Sequence, residues 1–340
     1  MPLFAHIGYM RNNKGILYLA TIFLTFLIVF SSFFYNQTTS AQEIKYYLGG
    51  NLAGFVLDEN GATILTITDV LSESGQRSPS NEAGLKEGDL ITSINGNKIT
   101  TCTDIDKILS SYQQGELVLE LERNNKKIIK SITPVKDVNG KYKLGLIIRD
   151  AISGIGTITY TTSEGEFSAL GHPIFDNKEI FNSSSGKIYN CSLLGILKGK
   201  KGCPGEIRGV FIETDEIGEI QKNTINGIKG IIKENEQKKE IKLGTAEIGK
   251  ASIYSSITDF GVKEYSISII KCDYNNKRNK NFVIKVTDKE LLETTGGIIQ
   301  GMSGSPIVQN GKLVGAVTHV FVNDPSKGFG ISINNLISNN

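Results

Sequence analysis

Histidine is almost missing from this chain of 340 residues: there are three, His6, His172 and His319. Chemistry that needs an imidazole base has only these to draw on. An excess of charge is missing too. The 37 Lys and Arg stand against 35 Asp and Glu and are scattered, so nucleic acid has no basic patch to bind. The four cysteines, Cys102, Cys191, Cys203 and Cys272, show no C-x-x-C spacing, which argues against a zinc site. A Cys191–Cys203 disulfide in an oxidising space and free buried thiols both remain open. No internal repeat is evident, and neither a cofactor nor a metal is expected. Glycine, by contrast, is plentiful at 37 residues, in an Ile/Val/Thr-rich, helix-poor texture that predicts mainly β structure in about two domains.

One stretch carries chemistry: Gly301-Met302-Ser303-Gly304-Ser305-Pro306-Ile307-Val308. A serine is a poor nucleophile until a base takes its proton, and the oxyanion it creates must meet backbone N–H donors already in place. Small neighbours open the backbone for that purpose, and Gly-x-Ser-Gly-x-Pro is the pattern around the nucleophile in chymotrypsin-like peptidases. The plain alternative is a Gly/Ser/Pro hairpin. His6 precedes the apolar N-terminal segment and is no partner for Ser303. His172, in Ala169-Leu170-Gly171-His172-Pro173-Ile174, sits on a turn and is the candidate base. His319 lies in Ala316-Val317-Thr318-His319-Val320-Phe321-Val322, a run that reads as a buried strand, and so as a core or supporting histidine.

Residues 16–35 form an uncharged run of twenty, long enough to span a bilayer as a helix. Arg11 and Lys14 precede it and no basic residue follows until Lys45, which predicts a cytoplasmic N-terminus (1–15), a single anchor (16–35) and an extracytoplasmic bulk. A cleaved signal peptide, with Thr39-Ser40-Ala41 as the small residues, is the alternative and would release the same catalytic part. After a linker (36–45), the segment Asn81-Glu82-Ala83-Gly84-Leu85-Lys86-Glu87-Gly88-Asp89-Leu90-Ile91-Thr92-Ser93-Ile94-Asn95-Gly96 resembles a PDZ domain, assigned here to 46–135. It predicts a short helix, a strand and an Asn95-Gly96 type I′ turn. Asp104 to Tyr112 is expected as the helix flanking the peptide groove, and Leu117–Arg123 with Lys127–Ile132 as a hairpin. Leu52, Ala53, Gly54 and Phe55 occupy the place of the carboxylate-binding loop, although Gly49-Gly50 reads equally as a plain turn. A polar connector (136–143) leads to the last domain, 144–340. Within it, Lys222 to Lys242 reads as exposed, solvated hairpins.

The anchor, the PDZ segment, Gly171-His172-Pro173-Ile174, the Ser303 turn and Val317-Thr318-His319-Val320-Phe321-Val322-Asn323-Asp324-Pro325 together resemble the SpoIVB (S55) family of sporulation signalling serine peptidases. The resemblance implies a chymotrypsin-like β-barrel peptidase domain, with Ser303 as nucleophile, His172 as base and Asp288, in Lys285-Val286-Thr287-Asp288, as third triad member. Asp215, between His172 and Ser303, remains the other choice. The backbone N–H groups of Gly301 and Ser303 are the oxyanion donors by analogy with chymotrypsin-like enzymes. The resemblance further implies an enzyme of the space between the two forespore membranes. It would cleave itself and then a regulator of an intramembrane metalloprotease, so that a mother-cell sigma factor precursor is processed; the PDZ module would recognise the chain itself and its target. Two other readings are a noncatalytic PDZ scaffold that binds peptides, and an HtrA-like quality-control protease, whose PDZ module usually follows the peptidase.

Overall fold

The computed structural model describes residues 13–35, 43–176, 179–181, 183, 185–233, 239–258, 260–276 and 279–338. They fall into two units, Met1–Ile44 and Lys45–Asn340. The first contains the helix Asn13–Tyr35, 23 residues long, with Leu17, Ile22, Phe23 and Phe26 exposed. The expected helix is therefore present, but among the described residues no helix is long and apolar enough to cross a membrane. The side chains of 28, 29 and 31–35 lie outside those described, and so do His6, Arg11 and the 36–42 part of the linker.

The second unit is built mainly from antiparallel strands that close two rings. The first runs through Leu52–Ile67, Leu146–Thr162, Glu166–Ala169, Gly227–Ile232, Glu216–Thr224 and Gly186–Asn190, which pairs back to Leu52–Ile67. Alternation along each strand turns one face inward, so that Ala53, Phe55 and Leu57 meet Ile158, Phe167, Ile188, Ile220 and Ile228 in its core. The second ring runs through Gly249–Thr258, Gly261–Cys272, Phe282–Val286, Lys327–Ser332, Lys312–Val320 and Pro306–Gln309, which returns to Gly249–Thr258. Its core holds Ile253, Tyr265, Ile267, Phe282, Ile284 and Ile307. Closing a sheet on itself leaves fewer unpaired edges.

A third core belongs to the PDZ-like segment: Ile64, Leu85, Ile91, Ile94, Ile105, Leu119, Leu121 and Leu144. Here the sequence reads well. Asn95 and Gly96 take positive φ values of 51° and 74°, as a type I′ turn demands. The groove helix is Cys102–Ser111, held by a capping box between Thr101 and Asp104. The hairpin Leu117–Arg123/Lys126–Ile132 turns at Asn124-Asn125.

The boundaries at 46 and 135 move. Leu52–Ile67 gives its first half to the first ring and its second half to the PDZ core, and Leu146–Thr162 does the reverse on the way back. The module is thus inserted into a ring of the other domain. Leu52, Ala53, Gly54 and Phe55 are consequently no loop: they are buried strand residues of the first ring, Leu52 paired with Thr157 and Ala53, Gly54 and Phe55 paired on both sides, which leaves those three no free backbone for a peptide carboxylate. The 136–143 connector forms the hairpin Val135–Lys136/Tyr142–Lys143 instead. Much of 222–242 is ring strand, with Ile228 and Ile232 buried, rather than solvated hairpin. All four cysteines are free, so Cys191 and Cys203 form no disulfide.

Candidate active site

Ser303 lies on a turn between Ile299 and the strand Pro306–Gln309, where the two rings touch. Gly301 and Gly304 both adopt φ +94°, a region open to glycine. A Cβ at Gly304 would lie 2.0 Å from the Thr157 carbonyl oxygen. The close approach is what lets the first ring clamp the turn. The Thr157 amide donates to the Ser303 carbonyl (2.9 Å), Thr157 Oγ1 to the Gly301 carbonyl (2.8 Å) and Thr159 Oγ1 to the Gly304 carbonyl (2.7 Å). The amides of Met302, Gly304 and Ser305 donate to Ile299, Val317 and Met302. Those of Gly301 and Ser303 have no acceptor among the described residues. Ser303 Oγ donates to the Thr318 carbonyl at 2.9 Å.

His172 follows two consecutive left-handed residues, Leu170 (φ 68°) and Gly171 (φ 69°). A buried leucine in that conformation costs about 1–3 kcal/mol, strain of the kind that collects at functional sites. His172 Nδ1 lies 3.0 Å from the Pro173 carbonyl oxygen. With the proton on Nδ1 donated there, the Nε2 lone pair is left to accept. Burial lowers the His172 pKa, and the Pro173 carbonyl opposes the shift. His319 is not a core residue. It stands exposed near the end of its strand, its ring centroid 5.0 Å from that of His172 at an interplanar tilt of 41°. Partial enclosure of its ring at the cavity, then His172 and Lys280, push its pKa down to about 4.

Ser303, His172, His319 and Gly301 line one cavity of about 410 Å³, walled by Leu170, Ile174, Ile298, Ile299 and Val320. Among the described residues, no acidic one lines it. Asp288 is the N-cap of the helix Lys289–Thr295, its Oδ1 accepting from the Leu291 amide (3.0 Å) and its Oδ2 from the Ser266 amide (3.2 Å). Asp215 accepts from Asn190 Nδ2 at 2.9 Å. The structure brings neither carboxylate to the cavity, and the acceptor at His172 Nδ1 is a backbone carbonyl. Asp288→Ala is therefore expected to cost about 1 kcal/mol of stability through loss of the cap, with turnover kept within about threefold; denaturant titration and steady-state kinetics check both. Abolished turnover in a folded Asp288→Asn protein would restore the acid to the triad.

A larger cavity of about 800 Å³, over Lys250, Tyr254, Glu264 and Gln309, shares no residue with this one. Among the described residues, no group of three or more His, Cys, Asp or Glu is placed to hold a metal. A third cavity, about 460 Å³, lies between the helix Cys102–Ser111 and the start of Leu146–Thr162, walled by Val70, Leu71, Ile105, Leu109, Leu146 and Ile148. This groove, beside Gly145 at φ 71°, takes the place expected for Leu52–Phe55. The sequence signal for this groove is Leu144-Gly145-Leu146 opening an apolar strand; the signal for the second imidazole of the Ser303 cavity is a histidine sixteen residues after Ser303.

Residues 140–337 match the family model for SpoIVB peptidase S55, more than half of the chain, and residues 60–123 match a PDZ domain. The chain is 34% identical over 109 residues to the regulator of sigma-W protease RasP of Bacillus subtilis, covering 29% of this chain and 26% of that one. It is 31% identical over 167 residues to the zinc metalloprotease RasP of Geobacillus kaustophilus, covering 40% and 39%. The chain thus spans well under half the length of these relatives. Among solved structures it is similar to the active form of the Rv3671c protease from M. tuberculosis, with 11% identity, a TM-score of 0.33, and coverage of 54% of this chain and 70% of that one.

Proposed function

Since the chain belongs to the SpoIVB peptidase S55 family, we propose that it is a serine endopeptidase whose nucleophile is Ser303 and whose base is His172. The observation that carries this reading is the meeting, at one cavity, of Ser303, an imidazole and two backbone amides, with His172 Nε2 and both amides unpartnered among the described residues. Rotation of the Ser303 hydroxyl from the Thr318 carbonyl to His172 passes its proton to Nε2 as Oγ attacks the scissile carbonyl carbon. The oxyanion is met by the Gly301 and Ser303 amides. His172 then gives the proton to the leaving amine, and water hydrolyses the acyl-enzyme by the same steps in reverse. The Pro173 carbonyl holds the tautomer that an aspartate holds in the usual triad.

The finer reading follows the family. The barrel fold would be chymotrypsin-like, supported by the two closed strand rings with the site between them. The helix Asn13–Tyr35 would anchor the enzyme, supported by the uncharged run 16–35 and by Arg11 and Lys14 on one side of it. The bulk would stand outside the cytoplasm, in the forespore intermembrane space, and would cleave itself and then the regulator of an intramembrane metalloprotease in sporulation signalling. The PDZ groove supports peptide capture as the selecting step.

A fluorophosphonate, which phosphonylates activated serines with loss of fluoride, tests the site. The full-length chain should take one adduct, on Ser303 by mass spectrometry, and His172→Ala should lose it. An unlabelled native protein would count against the proposal. The acid limb of kcat/KM should fall below 6.5, because burial disfavours the protonated, inactive imidazole; a pH–rate profile with that limb above 6.5 contradicts the assignment.

A further inference from the structure

The strand Leu146–Thr162 touches both cavities. Leu146 and Ile148 wall the PDZ groove; Ser153, Gly154 and Ile155 line the Ser303 cavity. On one side this strand pairs with Leu52–Ile67 from Leu146 to Thr157. On the other, its strand partner among the described residues, Glu166–Ala169, begins only at Ile158. Its residues from Leu146 to Ile155 all keep some exposure, and a Cβ at Gly154 would meet nothing within 4 Å.

Hydrogen-bond parity gives the direction of each group on that unpaired side. The Ile158 amide points towards the paired side, to the Asn51 carbonyl, whereas the Thr157 amide points the other way, to the Ser303 carbonyl. The register from Ala151 to Thr157 is unbroken. Successive residues alternate, so Ala151, Ser153 and Ile155 present their N–H and C=O groups outward from the unpaired edge, which ends at the nucleophile turn.

We propose that this edge is a docking rail on which an unfolded substrate segment adds as a strand, held at one end in the PDZ groove and delivered at the other to Ser303. The proposal rests on the peptidase reading for the cleavage step and on the edge for the docking. From Ile148 to Ile155 is seven residues, with one register shift between Arg149 and Ala151, so at about 3.4 Å each the captured residue and the scissile bond are set at most about 24 Å apart. The groove wall is apolar with Asp69, Asp106 and Asp137 against Lys143, which fits an apolar anchor flanked by Lys or Arg. The Ser303 cavity carries no acid among the described residues, so the side chain presented beside the scissile bond is apolar.

Residue-resolved hydrogen exchange on the full-length Ser303→Ala chain reads the rail directly. Two probes serve: dephosphorylated β-casein as an unfolded polypeptide, and the hexapeptide Lys-Leu-Ile-Val-Lys-Leu, long enough for the groove alone. Casein should slow exchange at Ala151, Ser153 and Ile155 by about tenfold or more, leaving Ile152 and Gly154, already turned towards Leu52–Ile67, unchanged. The hexapeptide should protect groove residues only. In the unmutated enzyme, Leu71→Lys on the groove rim, 61% exposed, should raise KM for casein about tenfold. Protection by casein that stops at the groove, that is absent, or that falls equally on odd and even residues overturns the proposal. Exchange needs no turnover, so an inert native chain that still shows the alternating protection would sink the peptidase reading and leave the rail standing.

Discussion

Ser303→Ala is expected to lower kcat on an unfolded protein substrate by about 10⁶-fold without unfolding the chain. In the proposed mechanism the hydroxyl forms the acyl-enzyme, and without it only the residual acceleration of about 10³–10⁴-fold over water that backbone donors and substrate binding supply remains. Its loss removes a single hydrogen bond, to the Thr318 carbonyl, at a position that is only part-buried, a cost of about 1 kcal/mol. Folding and activity therefore separate cleanly: a thermal midpoint lowered by no more than about 2–4 °C with lost turnover is the expected pair. His172→Ala should cost nearly as much, and the double variant little more, because the two groups act in the same step. Activity surviving Ser303→Ala within about tenfold of the native rate would exclude Ser303 as nucleophile.

The second large effect is structural. Arg149 donates from Nη2 to Glu59 Oε1 at 2.9 Å and to Asp176 Oδ2 at 2.7 Å. Glu59 is only 8% exposed, and its Oε2 is buried with no partner among the described residues. Arg149→Met leaves that carboxylate buried and unpaired, an expected loss of about 3–5 kcal/mol in denaturant unfolding. Adding Glu59→Gln should recover at least half of the loss, since the penalty belongs to the stranded charge rather than to the missing guanidinium. Asp176 lies four residues after His172, so the single variant should also slow turnover. A single variant as stable as the native chain would show that water reaches Glu59.

The PDZ segment was legible because its signals are local: Asn95-Gly96 fixes one turn type, and Thr101 with Asp104 closes a capping box within four residues. The Ser303 and His172 turns were legible for the same reason, through glycines flanking reactive side chains. The insertion was not. Leu52–Ile67 and Leu146–Thr162 each serve two cores, and nothing in an apolar strand marks where one core ends and the next begins. Leu52–Phe55 looked like a binding loop because its glycine and apolar residues fit one; pairing of Ala53, Gly54 and Phe55 on both sides decides otherwise. Asp288 shows the same limit, since an acid before a helix reads alike whether it caps that helix or serves a histidine. Of the two readings of His319, the core one fails because its strand is ending just where the histidine stands, whereas its ring lies beside that of His172.

The insertion also bears on the order of folding. Asp58 pairs with Ala151, so the first ring cannot close until the ends of a stretch of about ninety residues meet, which for a flexible chain costs about 4 kcal/mol by (3/2)RT ln n. A PDZ module that folds first draws those ends together and removes most of that cost. Its own core contains the continuation of the same two strands, so its folding also sets their register. A PDZ-like module that folds first would thereby be a nucleus for the domain around it, and the groove would be in place before the Ser303 cavity closes.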